Sequence, residues 1–122
     1  MPLVTAAQTV VHETPNAVMT TVAAPSLGAA QLAAWEVRMR PGQRGPEHTS
    51  DREQVWVVLE GAAEIDLGGE RVVAGAGDTA ILPAGAPRTV TAPEGLRALV
   101  ATTAGARVRT AQGGERPLPW AA

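Results

Sequence analysis

Apolar and polar residues alternate along much of this chain, in short runs interrupted by 13 glycines and 10 prolines. AAEIDL (62–67) sets Ala63, Ile65 and Leu67 against Glu64 and Asp66, the two-residue period of a strand with one buried face. LAAWEVRM (32–39) repeats the pattern: Trp35, Val37 and Met39 oppose Glu36 and Arg38, and Arg40 continues the polar face. Further strands are predicted for VMTTVAA (18–24), QVWVVL (54–59), RVVA (71–74), TAIL (79–82), RTVTA (88–92) and LRALVATT (96–103), all β-branched or apolar. Gly68-Gly69 predicts a tight hairpin after AAEIDL, and Glu60-Gly61 a turn before it. GAAQLAAWEV is the one helix-compatible stretch, and it reads as the lead into a strand that Pro41-Gly42 stops. GAGD (75–78) is turn chemistry with no helix behind it, so it is not a phosphate loop. The tail QGGERPLPWAA reads as irregular, with Trp120 pinning it to a surface or a partner. Regularly spaced short strands with turn chemistry between them predict an all-β barrel or sandwich.

Length bounds this to one domain, residues 1–122, with a single modest core. An apolar content of 45% and a net charge of -2 belong to a soluble globular chain. No apolar run approaches the length of about 20 residues that spans a bilayer. MPLVTAAQTVVHE lacks the basic and apolar regions of a signal peptide, so the expected location is the cytoplasm.

What is missing narrows the chemistry further. Without cysteine there is no thiolate nucleophile, disulfide, iron–sulfur cluster or cysteine-held zinc. Without lysine there is no Schiff base and no covalently held pyridoxal phosphate. Tyrosine and phenylalanine are also absent, which leaves Trp35, Trp56 and Trp120 as the large aromatic residues. All 10 basic residues are arginine, set against 12 acids, and no basic patch supports nucleic-acid binding.

Two spaced patterns carry a resemblance. In the first, Gly42 is followed by QRGPE, His48, Thr49, Ser50, DRE, Gln54, VWVVLE and Gly61. In the second, Gly77 is followed by DTAIL, Pro83, Ala84, Gly85, Ala86-Pro87, Arg88, TVT and Ala92. Their frame of glycines and proline resembles both motifs of the cupin superfamily, and the likeness to a small bacterial single-domain cupin covers about residues 30–103. It implies a cupin-type double-sheet jelly-roll β-barrel, flanked by an N-terminal strand and the irregular tail. It also implies a homodimer, with the N-terminal strand and Trp120 at the interface.

The resemblance places four metal ligands at positions 48, 50, 54 and 88, and only His48 is retained. Ser50, Gln54 and Arg88 stand at the other three. Serine and glutamine are weak donors for a transition metal, and an arginine brings a fixed positive charge. The expectation is therefore no metal and no other cofactor. Glu53 or His12 are the substitute ligands to consider with His48; otherwise His12 reads as a surface or interface residue.

By the family's geometry these four side chains point inward together, with Trp56 on the face of Gln54. His48 beside a cation stays neutral and available as a base, and Arg88 suits a carboxylate, a phosphate or an enolate-like oxygen. The predicted catalytic pair is His48 and Arg88; Ser50, Gln54, Trp56, Arg88 and Arg38 are the predicted substrate-binding residues. The plainer reading is that His48 is a hydrogen-bonded structural histidine, and that Arg88 pairs with an acid such as Glu36 or Glu53. The leading functional expectation is metal-independent binding of an anionic or carbonyl-bearing small molecule, with isomerase or cyclase proton transfer as the chemistry. The alternative is a non-catalytic ligand-binding or sensory module, and a metal-dependent enzyme with atypical ligands comes third.

Overall fold

The computed structural model describes residues 1–111 and 113–122. Twelve strands run in chain order: β1 (Val10–Glu13), β2 (Val18–Ala23), β3 (Leu32–Met39), β4 (Gln43–Arg44), β5 (His48–Ser50), β6 (Gln54–Leu67), β7 (Glu70–Gly75), β8 (Thr79–Leu82), β9 (Arg88–Ala92), β10 (Leu96–Thr103), β11 (Arg107–Thr110) and β12 (Glu115–Pro117). All pairings are antiparallel. One sheet runs β1-β2-β3-β10-β6 with β8 on the far side of β6; the other carries β7, the second half of β6, β9, β4, β5, β11 and β12. The two curl into a double-sheet jelly-roll barrel. Among the described residues, no helix is long and apolar enough to cross a membrane.

The alternation read from the sequence sets the facings. Trp35, Val37 and Met39 are buried while Glu36 and Arg38 point away. β3, β8, β9 and β10 have the predicted bounds. The core gathers Met19, Trp35, Val37, Met39, Trp56, Val58, Ile65, Leu82, Val90, Leu96, Val100 and Val108 inside the barrel.

One prediction is corrected. QVWVVL and AAEIDL are not separate strands joined by a Glu60-Gly61 turn; they are the two halves of β6, with 14 residues. The first half pairs with β8 and β10 in one sheet, the second with β7 and β9 in the other. A register shift opposite Arg97/Ala98 inserts an extra residue near Leu59. The inward positions therefore change from Gln54, Trp56 and Val58 to Ala63 and Ile65. Gly61 occupies this corner with φ of 75°, and a Cβ there would lie 2.1 Å from the carbonyl oxygen of Gly95. Only glycine fits where a backbone passes that closely.

The tail is also more ordered than its composition predicted. β12 pairs with β11, which pairs with β5. Residues Pro119–Ala121 then form a 3-10 turn that crosses to the first sheet. There the Thr21 hydroxyl donates to the Trp120 carbonyl at 2.7 Å, and the Ser26 N–H donates to Ala122 O at 3.0 Å.

Replacing Gly61 should be costly. Gly61→Ala is expected to lower the unfolding free energy by about 2–4 kcal/mol through left-handed backbone strain plus the clash. Gly42→Ala, where φ is 82° and nothing lies within 4 Å, should cost only the backbone term, about 1 kcal/mol. Urea unfolding of both variants checks this; equal losses would remove the corner role from Gly61.

Candidate functional site

A cavity of about 500 Å³ occupies the barrel. Trp35, Val37, Met39, Trp56 and Val90 supply its apolar walls, and His48 and Gln54 its polar ones. Its rim is formed by the β1–β2 turn (Thr14 to Ala17), Gly45-Pro46, and the tail from Arg116 to Trp120. Among the described residues, no aspartate or glutamate lines it.

Gln54 and Trp56 leave β6 two residues apart on one face, and the indole N–H donates to the Gln54 side-chain oxygen at 3.1 Å. Both are buried, at 2% and 7% exposure, so this bond holds the ring against the cavity wall. His48 begins β5, a strand too short to show a period in the sequence. Its Nδ1 lies 3.1 Å from the Pro46 carbonyl. A carbonyl can only accept, so Nδ1 carries the proton and Nε2 is the basic nitrogen. The His48 pKa is held below its ordinary 6.5, first by burial, which disfavours the cation, and also by the nearby Arg88 charge; the Pro46 bond opposes both.

Arg88 begins β9, directly across from His48. It shares the inward face of Val90 and is 1% exposed, yet it lies behind the cavity lining. Its Nη2 donates to the Pro83 carbonyl at 3.3 Å, while Nε and Nη1 have no partner among the described residues. Burial pushes its pKa down. The acids proposed to neutralise it are elsewhere: Glu36 pairs with Arg38 and Arg97, and Glu53 is exposed. Ser50 is fully buried beside the 83–87 turn, whose Gly85 N–H donates to Ser50 O at 2.8 Å. The Ser50 hydroxyl accepts from the Arg52 N–H at 3.2 Å.

Of the predicted site residues, the structure brings His48, Gln54 and Trp56 together on the cavity wall, with Arg88 and Ser50 packed behind it. Arg38 is not among them. Its side chain is 62% exposed and ion-paired with Glu36 at 2.7 Å on the outer face of β3, because its odd-numbered neighbours take the inward positions. Trp120 and the β1–β2 turn were not foreseen as site elements. Trp120 lines the cavity rim and meets the His12 ring edge-on, with centroids 6.5 Å apart. The one sequence signal for this was a lone tryptophan in a proline-rich tail.

The donor set does not fit a divalent metal. One imidazole, an amide already bound to an indole, a hydroxyl turned to its own loop and a guanidinium offer too few convergent anionic or neutral donors. Among the described residues, no three His, Cys, Asp or Glu side chains cluster, so Glu53 and His12 do not complete a ligand set with His48.

Burying Arg88 without an acid must weaken the unliganded fold. Arg88→Met is expected to raise unfolding stability by about 1–3 kcal/mol and to move the His48 titration upward. Because the folded-state pKa of His48 is depressed, its contribution to stability is present above 6.5 and is lost as pH falls through the lower folded value. Urea unfolding and the His48 imidazole proton resonance report the two effects. A destabilised Arg88→Met with an unmoved His48 would show that the guanidinium is satisfied.

The chain matches the cupin domain family over residues 35–102, more than half its length. No curated protein matches it. Among solved structures it is similar to the polyketide cyclase RemF from Streptomyces resistomycificus, with 22% identity and a TM-score of 0.77, covering 98% of this chain and 95% of that one. An RmlC-like cupin from Shewanella frigidimarina aligns with 20% identity and a TM-score of 0.70, over 81% and 86% of the two chains. Salicylate 1,2-dioxygenase from Pseudoaminobacter salicylatoxidans aligns with 19% identity and a TM-score of 0.72, over 82% of this chain but 30% of that one. At these identities the neighbours establish the barrel alone; the two motif frames, the jelly roll and the family match together place this chain in the cupin domain family.

Proposed function

We propose that the barrel binds a largely apolar, carbonyl-bearing small molecule, and that His48 removes a proton next to the carbonyl without a metal. The observation that carries this reading is the single imidazole on the wall of an otherwise mostly apolar cavity, its Nδ1–H bound to Pro46 and its cation disfavoured. Such a histidine is neutral at pH 7 and presents Nε2 as a base. The α-proton passes to Nε2 and the bond electrons move onto the carbonyl oxygen as an enolate. Return of that proton to a different carbon completes an isomerisation. Attack of the enolate carbon on a second carbonyl, with the proton delivered to the new alkoxide, completes a cyclisation. Near-complete mutual coverage with the polyketide cyclase RemF supports the second route.

2-Acetonaphthone, a flat apolar ketone, tests this. The protein should quench tryptophan fluorescence on binding it and speed deuterium exchange at its methyl group. His48→Gln should keep binding and lose about 10²-fold or more of the exchange. Dialysis against a chelator should leave both unchanged. Binding without exchange would favour the non-catalytic module, and loss of exchange on chelation would restore a metal to the site.

The same reading includes a homodimer, with its interface on the outer face of the first sheet rather than at the N-terminal strand and Trp120 that the resemblance implied. Across the outer face of the first sheet, Ala34, Ala101, Val55 and Ile81 stand side by side, with Leu99 and Val57 in the next row. Ile81 is 63% and Leu99 36% exposed. A contiguous apolar row of this kind is suited to burial against its own copy. Ile81→Asp should convert a dimer to a monomer in light scattering with the ketone affinity kept; a wild-type monomer would exclude the assembly.

A further inference from the structure

Arg88 poses a problem that proton abstraction does not solve. An enolate exists only during turnover, whereas the guanidinium is buried in every resting molecule. Among the described residues its Nε–H and Nη1–H have no partner, and its one bond is to a neutral carbonyl at 3.3 Å. A water molecule could satisfy the free N–H bonds but would leave the charge uncompensated in a poorly polarisable interior. The neighbouring polar groups are committed elsewhere, Gln54 to Trp56 and Ser50 to Arg52. Among the described residues the cavity lining, moreover, contains no acid, and the arginine in it is Arg116 at the rim. The counter-charge must therefore come from outside the chain.

We propose that Arg88 anchors a carboxylate, so that the molecule this barrel accepts is an apolar carboxylic acid whose acid end enters first. This rests on the cavity reading above and specifies its ligand class. The apolar body lies against Trp35, Trp56, Val37 and Met39. The carboxylate passes His48 and Val90, the lining residues that flank Arg88 across and along β9, and takes the free N–H bonds as the guanidinium turns from Pro83. The arrangement brings the reactive portion of the ligand beside His48, because the anchor and the base sit opposite each other on paired strands. It also opposes entry of cationic molecules, which would meet two arginines and no acid.

The test compares 2-naphthoate with 2-naphthamide, which share a ring system and differ chiefly in charge, by titration of tryptophan fluorescence. Wild-type protein should bind naphthoate about tenfold or more tightly than the amide. Arg88→Met should reduce naphthoate to the level of the amide while leaving the amide unchanged, and Arg116→Met should preserve the preference. Equal affinities in the wild type, a preference that survives Arg88→Met, or one lost with Arg116→Met would each overturn the anchor. Amide binding reports the cavity independently, so an amide that binds without a carboxylate preference removes the anchor alone. If neither probe binds, the cavity reading fails and the anchor with it. Should Arg88→Met not fold, the Arg88 Nε–H resonance of ¹⁵N-labelled wild-type protein decides: a shift with naphthoate and none with naphthamide supports the anchor, and no shift with naphthoate rejects it.

Discussion

Strand β6 has to belong to two sheets at once, and the barrel exists because it can. Its first half pairs with β8 and β10, its second with β7 and β9, and the change of sheet requires its buried face to switch parity midway. An added residue near Leu59 supplies the switch, and Gly61 lets the backbone of Gly95 approach at a distance no side chain would permit. The inward-facing set of β6 follows from that corner. Gln54 and Trp56 are placed on the cavity wall by the first half, while Ile65 and Ala63 fill the core from the second. A straight strand of the same composition would turn one of those sets to solvent.

Within the cavity the dominating term is electrostatic. A metal ion in a barrel of this kind supplies positive charge that several donors share. Here a guanidinium brings a fixed charge to that region and cannot share it, since serine, glutamine and one histidine carry no compensating negative charge. The consequences are coupled. Arg88 is left without an acid, His48 is biased toward its neutral form, and the resting protein carries a stability cost that an anionic ligand would offset. On the reading proposed above, the site is a binding pocket held ready for negative charge rather than a structural polar network, in which each buried group would have its partner within the chain.

The tail contributes to the same space from the opposite direction. By pairing through β11 to β5 and then bonding to Thr21 on β2, residues 107–110 and 115–122 tie the strand that carries His48 to the first sheet and place Leu118 and Trp120 at the cavity rim. Substrate-sized space is therefore bounded partly by a segment that lies outside the family match of residues 35–102.

Much was legible in the chain itself. A period of two in residues 32–39 and 62–67 determined which side chains face inward, because alternate strand residues point to opposite faces whatever surrounds them. The spacing of glycines and proline in both motifs pointed to the fold family, and Ser50, Gln54 and Arg88 at three of the four ligand positions pointed away from a metal. Tertiary structure decided the rest, for reasons of distance. Whether Glu60-Gly61 is a turn or a corner depends on what passes beside it, here Gly95, which lies far along the chain. Arg38 and Arg88 are equally arginine in the sequence; one lies on the outer face against Glu36, the other is sealed beside His48 with no acid in reach. The role of Trp120 was likewise hidden, since a proline-rich tail has no period to read and its partners, His12 and Thr21, are brought near only when the two sheets close. Local pattern determines facing and propensity; which distant groups share a buried volume, and therefore which charge goes unpaired, is settled only by the closed barrel.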